Sequence, residues 1–187
     1  MARRKTISDE AVLGKLLTAL ETAGPERLSF SKASSAVGLS APTLVQRFGT
    51  REAMIEAVLL YAWDRLDAAT AAADAKAPAS PAGAISILLG LIPASRTEYA
   101  LADGLLLLRE DIRNPTLRKR GTAWGASLAR ALGRRLTTRT KHAERMGWQM
   151  ASVWQGTLIW TAFKRDAAPR DAIRVALVDW CRSVGAM

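Results

Sequence analysis

The chain has 187 residues, 49% hydrophobic and 24% charged, an ordinary globular composition that is long enough for a core of its own. Its formal net charge of +10 points to an anionic partner: nucleic acid, an acidic membrane surface or an anionic small molecule. The single cysteine, Cys181, excludes an internal disulfide and any zinc site built from several cysteines.

Apolar residues recur at spacings of three and four along the chain without strand-like alternation, so we predict an all-α fold. Four helices are expected in the first part of the chain. The first should end before Gly24-Pro25, and the fourth should end near Ala73. Their expected N-terminal caps are Ser8, Ser29, Ser40 and Thr50.

Residues 73–83 are rich in alanine and proline, which is typical of a linker between two helical bundles. After this segment, helices are predicted at about 82–93, 96–112, 115–136, 140–164 and 169–184. Pro115 and Pro169 suit the first position of a helix, where the missing N–H group would have no partner anyway.

Residues 34–48 have the spacing of a helix-turn-helix. Ser34 is small enough for close helix approach, and Gly38 can adopt the left-handed conformation that ends a helix. Leu44 can fill the space between the two helices, and Phe48 continues the same inward side. The sequence therefore predicts two short helices that meet at a tight turn.

The second helix of this motif has an outward side with small and polar residues. Gln46 can pair with adenine N6 and N7, and Thr43 can contact a thymine methyl group or a phosphate. Arg47 can reach guanine or the DNA backbone. A merely solvated helix surface is the alternative, but the turn, the polar side and the basic charge together favour DNA binding.

Phosphates can be bound at helix N-termini, where N–H groups and the positive end of the helix dipole point outward. Ser29, Ser31 and Thr50 lie at such positions. The basic residues at 3–5 form either an arm that enters a minor groove or a solubilising tail.

Residues 28–59, LSFSKASSAVGLSAPTLVQRFGTREAMIEAVL, resemble the TetR-like family of helix-turn-helix transcriptional regulators through their GLS…TL…F…E core. The run DIRNPTLR at 111–118 is similar to a common entry into the family's seventh helix. The chain departs from the family at Val45, Arg47 and Gly49, where tyrosine, histidine and proline are usual, and at Ala33-Ser34, where Ile-Ala is usual.

The resemblance implies that Arg51 occupies the position of a phosphate-binding lysine. Together with the residues above, the predicted DNA contacts are Arg3, Arg4, Ser29, Ser31, Ser40, Ala41, Pro42, Thr43, Gln46, Arg47, Thr50 and Arg51.

The helix at 140–164 is apolar nearly all round, because its three tryptophans are spaced by six residues. It could be a monomeric core helix or could also face a partner subunit. The resemblance implies a homodimer whose last two helices form a four-helix bundle. The predicted dimerisation residues are Trp154, Leu158, Ile173, Leu177 and Trp180.

A small-molecule pocket between helices of the C-terminal bundle is a further implication of the resemblance. An anionic or a hydrophobic effector would suit it. The candidate ligand-binding residues are Tyr99, Asp103, Leu106, Trp124, Leu128, Trp148 and Met150, and core packing is the alternative for each.

Residues 109–145 contain 11 Lys or Arg and only 3 Asp or Glu. This basic run is either a solvated surface or a segment that attracts an anionic effector or DNA. The three glycines of the helix at 115–136 either make room for a neighbour or make the helix irregular.

Enzymatic chemistry has little support. Residues 29–32 fit Ser-x-x-Lys without the companion motifs of that hydrolase class, and His142 is the only histidine. We expect no catalytic residue, no cofactor and no metal site. The longest apolar stretch, residues 84–94, is too short and too interrupted to span a bilayer. No apolar run follows the basic residues 3–5, so we expect no signal peptide.

The sequence thus predicts a cytoplasmic homodimer that binds a palindromic DNA operator, with no membrane partner. Residues 1–50 would bind DNA, 51–73 would form a connecting helix, and 74–187 would bind ligand and dimerise. The expected activity is that of a repressor released by a small-molecule effector, which shifts the helix at 96–112 and so changes the separation of the two reading helices. A constitutive DNA-binding or scaffold protein without an effector is the alternative.

Overall fold

The computed structural model of the chain describes residues 7–92 and 107–187, and every regular element in these two ranges is helical, as predicted. Most of the helix expected at 96–112 lies outside the described residues. The helices are α1 (Asp9–Ala23), α2 (Phe30–Val37), α3 (Ala41–Phe48), α4 (Arg51–Lys76), α5 (Pro81–Gly90), α6 (residues 107–113), α7 (Pro115–Leu136), α8 (Thr140–Lys164) and α9 (Pro169–Ser183), with a 3₁₀ turn at Pro25–Arg27.

The first four helices begin at the predicted caps. The hydroxyl oxygens of Ser8, Ser29 and Ser40 each accept a hydrogen bond of 3.3 Å from the backbone N–H three residues later. Thr50 Oγ1 accepts one of 3.1 Å from the Ala53 N–H. Each cap satisfies an N–H group that has no partner within its own helix, so these boundaries depend on local chemistry.

The predicted linker is much shorter in the structure, because α4 continues to Lys76 and only residues 77–80 separate it from α5. Arg135 closes this turn: its Nε donates to Pro78 O at 3.0 Å, and its Nη2 donates to Asp74 O at 2.7 Å and to Ala77 O at 3.0 Å. A guanidinium at the negative end of the helix dipole satisfies carbonyls that the end of α4 leaves free.

The described residues fall into two compact units. The N-terminal unit comprises residues 7–64 and 107–118, and the C-terminal unit comprises 65–92 and 119–187. In the N-terminal unit, Leu16 and Leu20 of α1, Leu44 of α3 and Met54 of α4 are fully buried in one core. No described helix is both long and apolar enough to cross a membrane.

Glycines bring α7 and α8 into backbone contact in the C-terminal unit. A Cβ atom added at Gly133 would lie 2.0 Å from Ala143 O, and one added at Gly147 would lie 1.9 Å from Ala129 O. No side chain fits at those distances. Gly133 of α7 and Gly147 of α8 therefore make room for the neighbouring helix, and α7 stays helical across Gly133.

We predict that Gly147→Ala lowers the stability of the fold by about 1–3 kcal/mol, because the new methyl group forces the α7 and α8 backbones apart. Gly90→Ala is the control, since nothing lies within 4 Å of the added Cβ atom there. Urea unfolding of both variants measures the effect. Equal stability of the two variants would contradict the close contact.

Candidate nucleic-acid interface

The turn between α2 and α3 has the predicted helix-turn-helix geometry. Gly38 is in the left-handed conformation, with φ 74° and ψ 27°, and its N–H donates to Ser34 O at 2.9 Å. Val37 and Leu44 on either side of the turn are buried. A residue with a Cβ atom would be strained at Gly38, so this glycine fixes the angle at which α3 leaves the turn.

Ser34 makes a hydrogen bond at the turn that alanine, the usual residue at this position in the TetR-like family, could not make. Its hydroxyl donates a hydrogen bond of 2.6 Å to Leu39 O, five residues further on. This bond satisfies a carbonyl that lies between the two helices. The departure from the family pattern is therefore a local stabilising contact.

The outward side of α3 is neutral. Pro42, Thr43, Val45 and Gln46 are exposed, and Val45 retains 44% of its accessible surface. Thr43 Oγ1 lies 2.7 Å from Ser40 Oγ, so its hydroxyl is partly occupied at the start of the helix. Ala41 is half-buried. The residues predicted to read bases thus remain accessible to a partner, except for Arg47.

Arg47 does not point outward as predicted. Its Nε lies 3.3 Å from Asp9 Oδ1, its Nη2 donates to Ile7 O at 3.5 Å, and 23% of the side chain is exposed. Its Nη1 is buried without a hydrogen-bond partner. The guanidinium therefore ties α3 to the beginning of α1, and its assignment to the outward side is corrected.

Arg51 is also turned toward its own chain. Its Nε donates to Leu28 O at 2.9 Å, and its Nη2 donates to Pro25 O. Its Nη1 pairs with Glu52 at 3.5 Å. The side chain thus fixes the segment that leads into α2, and its predicted contact with a DNA phosphate stays a prediction.

The other predicted DNA contacts lie at helix starts. The hydroxyls of Ser29, Ser40 and Thr50 are used as caps, whereas Ser31 in the first turn of α2 is exposed. Lys32, which the sequence analysis overlooked, is exposed beside it. The sequence could have indicated this candidate contact, because Lys32 is the only cationic residue in α2. Arg3 and Arg4 lie outside the described residues.

Two braces hold the first half of α4 within the N-terminal unit. Trp63 Nε1 donates to Asp111 Oδ1 at 3.0 Å, and Asn114 Nδ2 donates to Glu56 Oε2. Asn114 Oδ1 also accepts from the Thr116 N–H at 2.8 Å and so caps α7.

Partial burial raises the pKa of Asp111, the charge of Glu110 adds to the rise, and the Trp63 hydrogen bond opposes it.

Several arginines of the basic run at 109–145 form ion pairs with acidic residues of their own unit. Within the N-terminal unit, Arg109 pairs with Glu26 at 3.0 Å. Within the C-terminal unit, Arg120 pairs with Asp67, and Arg134 and Arg135 both pair with Asp74.

Burial acts to raise the pKa of Asp74, but the hydrogen bonds and charges of Arg135 and Arg134 outweigh it and hold that pKa below its usual value. Some arginines of the run therefore compensate acidic residues of their own unit.

Three of the predicted dimerisation residues are internal. Trp154, Ile173 and Leu177 are buried in the core of the C-terminal unit, which corrects their assignment to an interface, while Leu158 and Trp180 are half-buried. The most exposed large apolar side chains of α8 and α9 are instead Trp160 at 62%, Phe163 at 71% and Val175 at 59% exposure.

The described members of the predicted ligand-binding set have different surroundings. Leu128 and Met150 are fully buried in the core, and Trp124 Nε1 donates to Thr70 Oγ1 at 3.0 Å. Trp148 is 41% exposed and covers Gly125. Tyr99, Asp103 and Leu106 lie outside the described residues.

An open groove of about 780 Å³ between α8 and α9 is lined by other residues, among them Trp160, Lys164 and Val175. None of the predicted ligand-binding residues contributes to its wall. The position of a ligand site stays a prediction.

Comparison with solved structures relates this arrangement to known folds. A transcriptional regulator from Rhodococcus sp. Rha1 superposes with a TM-score of 0.78 at 16% sequence identity, over 95% of this chain and 96% of that one. The TetR family transcriptional regulator PfmR from Thermus thermophilus superposes with a TM-score of 0.61 at 20% identity, over 91% of this chain and 97% of that one.

This chain has the TetR-family fold. No model of a protein family matches the sequence, and no curated protein matches it. The resemblance seen in the helix-turn-helix residues therefore extends to the three-dimensional fold, which TetR-family regulators share with this chain over almost its full length.

We predict that Ser34→Ala lowers the stability of the N-terminal unit by about 1 kcal/mol, because Leu39 O loses its donor. Ser35→Ala is the matched control, since the exposed Ser35 hydroxyl bonds only to Ser31 O within its own helix. Chemical unfolding of both variants provides the comparison. A Ser34→Ala variant as stable as Ser35→Ala would show that the turn does not depend on this hydroxyl.

The raised pKa of Asp111 predicts a pH-dependent loss of stability. Folding binds protons more tightly at this carboxyl, so its contribution to stability falls as pH rises from the ordinary value of 3.8 through the folded pKa. Asp111→Asn keeps an acceptor for Trp63 and removes the ionisation. The melting temperature of Asp111→Asn minus that of the unaltered protein should increase with pH over that window. A difference that stays constant with pH would contradict the prediction.

Proposed function

We propose that this protein is a sequence-specific DNA-binding transcriptional regulator and that α3 is its reading helix. The observation that carries the proposal is the exposed outer side of α3, held by the left-handed turn at Gly38 and by the buried Leu44. A helix fixed in this way can enter a major groove with its N-terminal residues against the base edges. The TetR-family fold and the net charge of +10 support the same function.

Phosphate contacts would come from the first turns of α2 and α4 rather than from Arg47 and Arg51. Ser31 and Lys32 are exposed in the first turn of α2, where backbone N–H groups and the helix dipole favour an anion. Thr50 begins α4 in the same way. Such contacts orient the helix-turn-helix on the duplex without reading its sequence.

A homodimer would supply a second reading helix and so a second half-site. The support for it is the apolar surface formed by Trp160, Phe163 and Val175, because monomeric proteins rarely expose such large side chains together. The ring centroids of Trp160 and Phe163 lie 5.7 Å apart, so the two side chains form one continuous patch. Two half-sites bound together multiply the affinity of one and favour a palindromic operator.

The function is tested by fluorescence anisotropy with DNA from upstream of the protein's own gene and with a shuffled duplex, across a salt series, and by selection from random duplexes if neither binds. We expect sequence-preferring binding that weakens steeply with salt. Failure to enrich any duplex would refute the proposal.

We predict that Gln46→Ala weakens binding to the preferred duplex by about tenfold, since it removes a two-point contact to a base edge. Gln149→Ala is the matched control, because Gln149 is also exposed but lies in α8. Binding to the shuffled duplex should change little in either variant. Equal losses in the two variants would remove α3 from the interface.

Replacing both Trp160 and Phe163 with glutamate should convert the dimer to a monomer, because the interface would then bury charges without partners. Ile112→Glu is the control, as Ile112 is 58% exposed in the N-terminal unit. Sedimentation equilibrium measures the molar mass of each variant in solution and so its oligomeric state. A dimer that survives the double substitution must use another surface.

We further propose repression that a small-molecule effector relieves. A constitutive DNA-binding protein is the second candidate, favoured by the complete burial of Leu128 and Met150, which fill the core where a ligand was predicted. A thermal-shift screen against small-molecule pools separates the two. A stabilising compound that also releases DNA supports the effector, and the absence of any stabiliser at saturating levels supports the constitutive protein.

A further inference from the structure

The outward side of α3 carries few of the groups that proteins use to read bases. Of its eight residues, Leu44 is buried, Phe48 packs against the core of the N-terminal unit, and Ala41 is half-buried. The exposed residues are Pro42, Thr43, Val45 and Gln46. This set contains no cation and no carboxylate, and it includes one amide and several apolar groups.

Arg47 would normally supply a guanine contact, because an arginine that donates to O6 and N7 is the commonest specific reader of guanine. Here Asp9 and Ile7 hold its guanidinium through the 3.3 Å and 3.5 Å contacts of Nε and Nη2. The only cation of α3 therefore points toward α1. The reading helix keeps no free donor fork for guanine.

The remaining groups match an A·T base pair. A glutamine amide both donates to and accepts from adenine, at N6 and N7, and apolar side chains contact the C5-methyl group of thymine. Val45 is 44% exposed and stands one residue before Gln46. The Thr43 hydroxyl is partly engaged 2.7 Å from Ser40 Oγ, and its γ-methyl group is a further apolar group that suits a thymine methyl group.

We propose that α3 reads A·T base pairs, with Gln46 on adenine and with Val45 on the methyl group of thymine. The inference rests on the proposed DNA-binding function and specifies the DNA sites that it concerns. These are half-sites in which the base pairs that face α3 in the major groove are A·T pairs. It also assigns a role to the valine that replaces the family's usual tyrosine. Arg47 acts through Asp9 as a positioning residue and reads no base.

The test starts with the preferred duplex obtained by selection, in which each thymine of the half-site is replaced in turn by deoxyuridine. Uracil pairs as thymine does but lacks the C5-methyl group. At one position, the unaltered protein should bind about fourfold more weakly, the fold-change that corresponds to roughly 0.8 kcal/mol for one buried methyl group. Val45→Ala should bind the thymine and uracil duplexes equally at that position.

Controls separate a base contact from a loss of fold. Val184→Ala removes the same atoms from a valine that is 40% exposed in the C-terminal unit, and it should keep the full response to uracil. Arg47→Ala should select the same bases as the unaltered protein even where its overall affinity falls. Thermal unfolding of each variant confirms that the N-terminal unit is folded.

The outcomes are distinct. Selected half-sites with A·T pairs opposite α3, together with a uracil response that Val45→Ala abolishes, support the inference. Selected half-sites with guanine at these positions, or a uracil response unchanged in Val45→Ala, overturn it and leave the regulator function standing. If selection enriches no duplex at all, the proposed function and this inference both fail.

Discussion

The left-handed backbone at Gly38 is the constraint on which the arrangement of the N-terminal unit depends. It changes the direction of the chain between α2 and α3, and the Ser34 hydroxyl and the buried Leu44 hold the two short helices at the resulting angle. Neither helix has enough turns to be stable alone, so both are helical because the turn and the core place them together. One side of α3 is then fixed inward, and its opposite side is available to a partner.

Arginine side chains stabilise this fold at places where helices begin and end. Arg51 joins the carbonyls before α2, Arg47 joins α3 to α1, and Arg135 closes the end of α4 in the C-terminal unit. Carbonyls and carboxylates of the chain satisfy these cations. Part of the strong positive charge thus stabilises the fold, and a count of basic residues overstates the positive charge that remains available to bind DNA.

Local signals made much of the fold predictable. Each N-cap lies within three residues of the N–H group that it satisfies, and Gly38, Pro115 and Pro169 act through their own backbone geometry. Arg47, Arg51 and Arg135 each bond to a group far away in sequence, namely Ile7 O at 40 residues, Leu28 O at 23 and Asp74 Oδ1 at 61, so their orientation could not be read from the motif. For the same reason the sequence identified apolar positions in α8 and α9 but not which of them, such as Ile173 or Trp160, face the core.

Photocrosslinking tests most directly whether the outer side of α3 contacts DNA. The preferred duplex, with 5-bromodeoxyuridine in place of thymine in each half-site, is irradiated in complex with the unaltered protein, and mass spectrometry identifies the attached peptide. The account predicts attachment within residues 41–48. Attachment confined to the basic run at 109–145, with none in α3, would contradict it.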